Sequence, residues 1–389
     1  MKYPEYVIKI LNRIEEAGHE AFIVGGALRD MMIGRESHDY DITTSALPEE
    51  TAEIFSDMHV IKTGLKHGTV TVVIDRHPIE ITTYRVDGDY KDSRHPSGVR
   101  FTRNIEDDLA RRDFTVNAMA YNDKRGLVDL FGGKDDLERR IIRAVGEPER
   151  RFTEDALRIM RAFRFSSKLG FEIEEETLAA AEKCRHGLAN ISAERKSVEL
   201  EGILLGEGVE KALLCMYNAK VFEIIAPMIS LDTTRFSKVN TLPNNFACRM
   251  AFCLAGQENT EKYTTTLKLS NAVSARIKKL ARFAEAPLDA SSDGKLRRLM
   301  SVCGEDIKHL LKIKSALVED VSGIPERVEA IKARGDCLFI SQLAVDGRDL
   351  GKLGISGKDI GNTLDMLLDA VLDNPELNTK DSLMAMIKG

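Results

Sequence analysis

The chain has 389 residues, of which 43% are hydrophobic and 30% are charged, and a chain of this length folds into about two to four packed units. The formal net charge of −6 argues against a protein that coats nucleic acid indiscriminately, so any RNA contact needs a local basic surface. No apolar run is long enough for a signal peptide or a membrane span, and we therefore expect a cytoplasmic protein without membrane contact.

The first part of the chain alternates helix and strand patterns, which predicts a small α/β domain. In chain order the predicted elements are a helix at 3–17, a strand at 21–24, a strand at 38–43, and a hairpin with β-branched strands at 69–74 and 79–84 joined by a turn at 75–78. From about residue 146 the periodicity becomes helical. Predicted breaks between helices lie at Gly170, 206–208, 243–244, 285–287 and 323–325.

Two aspartates one residue apart, Asp39 and Asp41, lie on the strand predicted at 38–43. Because a strand alternates its side chains, both carboxylates are expected on one face. There they could hold one or two Mg²⁺ ions, which prefer carboxylate oxygens and substrate phosphates. Glu80, on the second hairpin strand, is either a third carboxylate facing the metal or the partner of an arginine.

A glycine pair precedes these aspartates and opens a helix predicted to start near Ala27. Glycine lets the backbone approach a triphosphate, and the free N–H groups of the helix start point toward the same anion. We therefore predict that Gly26 and Arg29 bind the triphosphate of a nucleotide.

A row of charged residues recurs every third position on a helix predicted to begin at Thr153, which would serve as its N-cap. The row consists of Asp155, Arg158, Arg161 and Arg164. One explanation is a salt bridge with two additional surface arginines. The other is recognition of a base, since a carboxylate and a guanidinium match the amino donor and ring-nitrogen acceptor that cytosine and adenine share. Uracil and guanine present the reverse pattern.

Several motifs together resemble a known family. The spacing G-G-x-x-R-D followed by D-x-D resembles the signature of the nucleotidyltransferase superfamily that includes DNA polymerase β. The segments RRDFTVNA (111–118), DLFGG (129–133), RFTEDALRIMRAFRF (151–165) and ISAER (191–195) then resemble, in order, the motifs of class II tRNA nucleotidyltransferases, the CCA-adding enzyme and poly(A) polymerase family.

The resemblance implies an α+β fold with a polymerase β-like head followed by an all-helical neck, body and tail. We place the catalytic head at 1–145, the base-recognising neck at 146–206, the body at 207–285 and a tRNA-binding tail at 286–389. It implies addition of CCA to the 3′ end of tRNA from CTP and ATP without a template, with release of pyrophosphate.

In the resembled family the matching residues have assigned roles. Asp39 and Asp41 would be the catalytic metal ligands, and Arg112 would join Gly26 and Arg29 on the triphosphate. Arg112 could instead pair with Asp113 or Asp108. Asp155 and Arg158 would read the base, and Arg161 and Arg164 would lie within reach of phosphates.

The segment 85–103 is rich in Gly, Asp and Ser, which predicts a mobile loop. In the resembled family a loop at this position is needed to change the site from C to A. The alternatives left open are the A-adding half of a split CC/A pair, a bacterial poly(A) polymerase, and a catalytically dead RNA-binding or scaffold protein. The sequence does not predict the oligomeric state.

Overall fold

The computed structural model of the chain describes residues 1–37, 39–87 and 99–388. It divides into two compact units, Met1–Pro227 and Met228–Gly389. The first unit contains a mixed sheet with helices, and the described residues of the second are helical with irregular connections. The α+β class predicted from the sequence is thereby confirmed, whereas the finer division into head, neck, body and tail stays a prediction.

All the described strands belong to the first unit. They are β1 (Ala21–Val24), β2 (Asp41–Thr44), β3 (His59–Ile61), β4 (Thr69–Ile74), β5 (His77–Thr83), β6 (Arg85–Asp87), β7 (Val99–Phe101), β8 (Met119–Asn122), β9 (Gly126–Asp129), β10 (Ile141–Ile142) and β11 (Glu172–Ile173). The main sheet has the order β3-β4-β5-β2-β1-β8-β9. Its pairs are antiparallel except β2 with β5, which is parallel.

The predicted hairpin forms β4 and β5. Alternate residues Val70, Val72 and Ile74 of β4 are buried, as the period of a half-buried strand requires. The turn is shorter than predicted, because only Asp75 and Arg76 separate the strands. Both have positive φ, 49° and 69°, which is the backbone twist that a two-residue hairpin turn needs.

Strand β1 lies inside the sheet between β2 and β8, and all four of its residues are buried. Phe22 and Val24 pack with Tyr84, Leu109 and Val128 in one hydrophobic cluster. The short strands β8 and β9, which the sequence did not predict, thus complete the core around β1.

The segment predicted as a loop at 85–103 begins and ends in paired strands. Arg85 of β6 lies opposite Phe101 of β7, and Val86 lies opposite Arg100. These two ends belong to the described part of the chain. Residues 88–98, where the predicted mobile loop falls, lie outside it.

The helices of the first unit are α1 (Glu5–Glu16), α2 (Gly25–Met32), α3 (Pro48–Ile54), α4 (Ile105–Ala110), α5 (Gly133–Arg139), α6 (Pro148–Glu154), α7 (Leu157–Leu169), α8 (Glu175–Cys184), α9 (Ala193–Leu204), α10 (Val209–Asn218) and α11 (Phe222–Ile225). The predicted helix at 3–17 corresponds to α1. Helix α7 ends at Gly170, whose φ of 69° suits glycine at a helix C-terminus.

The helices of the second unit are α12 (Phe246–Leu254), α13 (Thr260–Thr266), α14 (Asn271–Glu285), α15 (Asp293–Cys303), α16 (Ile307–Ala316), α17 (Ile324–Arg334), α18 (Gly347–Gly351), α19 (Lys358–Asp373) and α20 (Lys380–Lys388). The break predicted at 243–244 falls between helices, the one at 285–287 begins at the last residue of α14, and Gly323 precedes α17. In the ranges that the structure describes, no helix is long and apolar enough to cross a membrane.

Candidate functional site

The two aspartates lie at the start of β2 rather than together on it. Asp41 is the first residue of β2, and Asp39 precedes the strand. The prediction of one strand carrying both is therefore wrong in its bounds, and His38 lies outside the described residues. The alternation nevertheless continues upstream, because Tyr40 is buried while Asp39 and Asp41 are exposed. The two carboxylates can thus still share one face.

Asp41 lies among other carboxylates. In the sheet it pairs with Val24 of β1 on one side and with Glu80 of β5 on the other. Partial removal from water raises the pKa of Asp41 to about 6, with the negative charges of Asp39 and Glu80 adding to the rise and Arg112 opposing it. Within the described residues Glu80 has no ion pair. Of the two interpretations of Glu80, the structure therefore favours a carboxylate beside the aspartates over the partner of an arginine.

Gly25 brings the backbone close to this charged group. Its φ is 66°, and a Cβ at this position would lie 3.4 Å from Arg112 Nη1 and 3.9 Å from Asp41 Oδ2. A side chain here would be strained by the positive φ, and its Cβ would be in van der Waals contact with both groups. Helix α2 starts at Gly25, two residues earlier than predicted. Gly26 follows in its first turn, and a Cβ there would lie 3.6 Å from Arg29 Nη2.

Arg112 pairs with Asp108, one of the two partners considered from the sequence. The fully buried Asp108 accepts hydrogen bonds from Arg112 Nη2 at 3.2 Å and Arg111 Nη2 at 2.8 Å. Burial alone would raise the pKa of Asp108, but the two guanidinium charges outweigh it and lower the pKa. Arg112 Nε is buried without a hydrogen-bond partner among the described residues. Arg112 therefore lies between Asp108 and Asp41 and retains an unused donor.

Arg29 is held in place by protein groups. Only 2% of its surface is exposed. Its Nη1 donates to Asn117 Oδ1 at 2.7 Å, and its Nε and Nη2 donate to Asp30 Oδ1 at 2.8 and 2.7 Å. These bonds fix the guanidinium beside Gly26, while a role on the triphosphate stays a prediction.

The predicted row of charges does not lie on one helix. Thr153 belongs to α6, where its hydroxyl donates to the Glu149 carbonyl at 2.8 Å, so it is not an N-cap. Asp155 has an extended backbone between α6 and α7, and its Oδ1 accepts the Leu157 N–H at 3.0 Å. The prediction of a continuous helix is wrong here, because an aspartate carboxylate competes for backbone N–H groups and starts a new helix.

Asp155 and Arg158 also do not pair with each other through their side chains. Asp155 Oδ2 accepts from Arg195 Nη2 at 2.9 Å. Arg158 Nη1 donates to Glu154 Oε2 at 2.8 Å, and Nη2 donates to the Arg111 carbonyl at 3.1 Å. The salt bridge that was the ordinary explanation for this pair is therefore not the observed contact. Each group is oriented separately by its own partner.

Arg161 and Arg164 follow on α7 and contact buried carboxylates. Arg161 Nη2 lies 2.6 Å from Asp113 Oδ2, and Arg164 Nε donates to Glu199 Oε2 at 2.5 Å. The charge of Asp113 raises the pKa of Arg161. For Asp113, burial acts to raise the pKa, but the pairing with Arg161 outweighs it and lowers the pKa.

Three residues outside the predicted site hold it together, and of these only Asp108 was considered from the sequence, as a possible partner of Arg112. Asp108 orients Arg112, Arg195 pairs with Asp155, and Glu199 pairs with Arg164. Arg195 lies in the ISAER segment that was recognised as a motif, which was the available signal. Its Nη1 is buried without a hydrogen-bond partner in the described chain. Glu199 carried no such signal, because its partners lie on another helix.

The arrangement of carboxylates suits a cation that takes its other ligands from a substrate. Among the residues that the structure describes, no three His, Cys, Asp or Glu side chains are grouped to hold a metal by themselves. Mg²⁺ typically binds one or two carboxylates together with waters and substrate phosphates. Asp39 and Asp41 provide hard oxygen donors, and a cation there would offset the removal from water and the neighbouring negative charges that together raise the Asp41 pKa.

Comparison with known proteins gives consistent matches along the chain. The family described as the poly A polymerase head domain matches residues 21–143, and the family described as a probable RNA and SrmB-binding site of polymerase A matches residues 170–232. The chain is 35% identical to the CCA-adding enzyme of Bacillus pumilus, with 97% of this chain and 95% of the relative covered. It is 36% identical to that of Lactobacillus helveticus, covering 98% and 97%.

A solved structure matches over nearly the same length. The Bacillus stearothermophilus CCA-adding enzyme, determined in complex with CTP, superposes with a TM-score of 0.85 at 31% identity. The match covers 100% of this chain and 98% of that one. Similarity thus extends through both units rather than the head alone.

Proposed function

Since the chain belongs to the family of CCA-adding enzymes, which are tRNA nucleotidyltransferases, we propose that it adds C, C and A to the 3′ end of tRNA from CTP and ATP. The observation that carries this proposal is the group formed by Gly25, Asp41 and Arg112. It brings the Asp41 carboxylate, closely approaching backbone and the Arg112 guanidinium together at one point. That is the set of groups a metal-bound triphosphate requires.

In the proposed reaction the 3′-hydroxyl oxygen of the RNA attacks the α-phosphorus, the bond to the β-phosphate breaks, and pyrophosphate leaves. Asp39 and Asp41 would hold one or two Mg²⁺ ions. Bound there, Mg²⁺ would lower the pKa of the attacking hydroxyl and neutralise charge on the transferring and leaving groups. The raised pKa of Asp41, about 6, still leaves its carboxylate ionised at neutral pH and so able to bind a cation.

We assign triphosphate binding to Gly26, Arg29 and Arg112. Donors near the glycine pair are the N–H groups at the start of α2, Arg112 beside Gly25 and Arg29 beside Gly26. Arg29 is held by Asp30 and Asn117, so its orientation does not have to be fixed when the nucleotide binds. Preorganised donors of this kind stabilise charge without reorganisation.

We assign base selection to Asp155 and Arg158. Although the two do not pair, each carboxylate oxygen of Asp155 has a second lone pair, and Arg158 has N–H groups beyond those already used. A carboxylate acceptor and a guanidinium donor match cytosine and adenine and oppose uracil and guanine. Leaving such groups unpaired costs about 1–3 kcal/mol each. Arg161 and Arg164 would lie toward the phosphates.

The experiment uses tRNA transcripts that end before the first C, after one C and after CC, with CTP and ATP supplied separately and together. We expect CTP alone to extend the first two, ATP alone to extend only the third, and both together to complete all three. Extension of only the CC-ending transcript would support an A-adding half of a split pair. Runs of A on unstructured RNA would support a poly(A) polymerase, and no Mg²⁺-dependent addition would support a scaffold protein.

A further inference from the structure

One aromatic ring lies among three arginines to which nucleotide binding is assigned. The guanidinium carbon of Arg164 lies 4.2 Å from the centroid of the Phe165 ring, and those of Arg29 and Arg161 each lie 5.3 Å from it. Phe165 is 6% exposed. The Phe114 ring packs edge-on against it, with centroids 5.7 Å apart and an interplanar angle of 76°.

Three positive charges around one point repel one another unless nearby groups compensate them. Carboxylates compensate these charges: Asp30 accepts from Arg29, Asp113 pairs with Arg161, and Glu199 accepts from Arg164 and also lies 3.9 Å from Arg161. The Phe165 ring is the group that all three share. The negative potential of an aromatic face attracts guanidinium groups and lets them stack flat against it.

The ring also connects two separate parts of the site. Arg29 lies on α2, directly after the glycine pair, whereas Arg161 and Arg164 lie on α7 with Phe165 itself. A chain of hydrogen bonds also links Arg29 with Arg161. Asn117 accepts a hydrogen bond from Arg29 and donates one to Asp113, and Asp113 accepts one from Arg161. Packing against Phe165 and this chain of bonds therefore set the same spacing between α2 and α7.

We propose that Phe165 is a positioning residue that holds the three guanidiniums in the arrangement that receives the nucleotide triphosphate. The proposal rests on the function proposed above and adds a residue that touches neither the base nor the reacting atoms. A leucine at this position would fill much of the apolar volume but would offer no aromatic face. The arginines would then keep their carboxylate partners and lose the surface that fixes their mutual orientation.

The matched control is Phe163 on the same helix. It is fully buried, and within the described part of the chain no arginine lies over its ring. Phe163→Leu therefore removes an aromatic ring from the core of α7 without removing a contact to a guanidinium. Phe165→Tyr keeps the aromatic face at position 165.

The test compares wild type, Phe165→Leu, Phe165→Tyr and Phe163→Leu by three measurements. These are the thermal midpoint, the Kd for CTP with Mg²⁺ by calorimetry in the absence of tRNA, and kcat and KM for CTP on a transcript lacking CCA. We expect Phe165→Leu to raise the Kd and KM for CTP by about tenfold, and Phe165→Tyr to remain within about threefold of wild type. Phe163→Leu should lower the thermal midpoint while changing the Kd by less than about twofold.

Equal Kd values for Phe165→Leu and wild type would overturn the proposal, as would an equal rise in Kd for Phe163→Leu. If Phe165→Leu does not fold, the Tyr variant decides: loss of CTP binding by folded Phe165→Tyr would contradict a role of the aromatic face. Failure of the proposed function has a different signature, because wild type itself would then not add C to the transcript.

Discussion

Replacing Asp41 with asparagine should make the protein less active and more stable at the same time. The substitution keeps the size of the side chain and removes its negative charge. We expect nucleotide addition to fall by about 10³-fold or more, because a metal-binding carboxylate and its stabilisation of transition-state charge are lost. If Asp41 instead had a structural role, its replacement would lower both stability and activity.

The gain in stability follows from the carboxylates around Asp41. Because its folded-state pKa of about 6 lies above the usual value of 3.8, the native chain binds this proton more tightly than the unfolded chain does. The resulting stabilisation is present below the unfolded pKa and is lost as pH rises through about 6. At about 1.36 kcal/mol per pKa unit the shift corresponds to about 3 kcal/mol. Solvent screening of this exposed side chain reduces the figure to about 1 kcal/mol.

The assay therefore has two parts, single-nucleotide addition from CTP and denaturant unfolding at pH 4.5 and pH 8. Asp41→Asn should exceed wild type in unfolding free energy at pH 8 and by much less at pH 4.5, where Asp41 of wild type is mostly protonated. Asp75→Asn is the matched control, since it removes a carboxylate from a turn of the same sheet and should leave activity unchanged. Near-normal activity of Asp41→Asn would refute the metal assignment, and lower stability at pH 8 would refute the electrostatic account.

Three further predictions concern the same site. Glu80→Gln should lower the pKa of Asp41 in the metal-free protein, measured by NMR titration of the Asp41 carboxyl; an unchanged pKa would show that the Glu80 charge does not act on Asp41. Asp155→Asn should retain the capping bond to Leu157 yet increase misincorporation of UTP and GTP, measured against all four nucleotides. Uniform loss with unchanged selectivity would make Asp155 structural. Replacing 88–95 with a Gly-Ser linker, which leaves β6 and β7 intact, should spare CC addition and stop A addition, as read from product lengths on a denaturing gel.

Local sequence patterns predicted the parts of the fold that depend on local chemistry. The continuous apolar run Ala21–Val24, the alternation of the β-branched strand Thr69–Ile74 and the helical period of α1 each identify the element. The strands β8 and β9 were missed because four residues with mixed polarity give no readable period. Their position is decided by pairing with each other and, for β8, with distant β1.

In the candidate site, too, local sequence patterns indicated some features, and only the tertiary fold could show the others. The aspartates and the glycine pair were singled out because they lie near each other in sequence; Gly25 and Asp41 lie close to Arg112 in space, while the roles of these residues stay predictions. The prediction that the charged row lies on one helix was wrong, because side-chain periodicity does not indicate a helix break where no Gly or Pro occurs. Asp155 followed by an apolar run was an N-terminal capping signal that would have located the break. Its partner Arg195 is distant in sequence, so only the tertiary fold could show the ion pair.

The central place of β1 in the sheet has a consequence for the synthesis of the protein. One edge of β1 pairs with β2, but the other pairs with β8, where Ile23 lies opposite Tyr121 and Val24 lies opposite Ala120. Pairs so distant in sequence form slowly. While the chain emerges from the ribosome, β1 therefore keeps an apolar edge without a partner until β8 has been made, and such an edge invites association with other chains. The main sheet thus depends on prompt synthesis of its last two strands, β8 and β9, to form without aggregation.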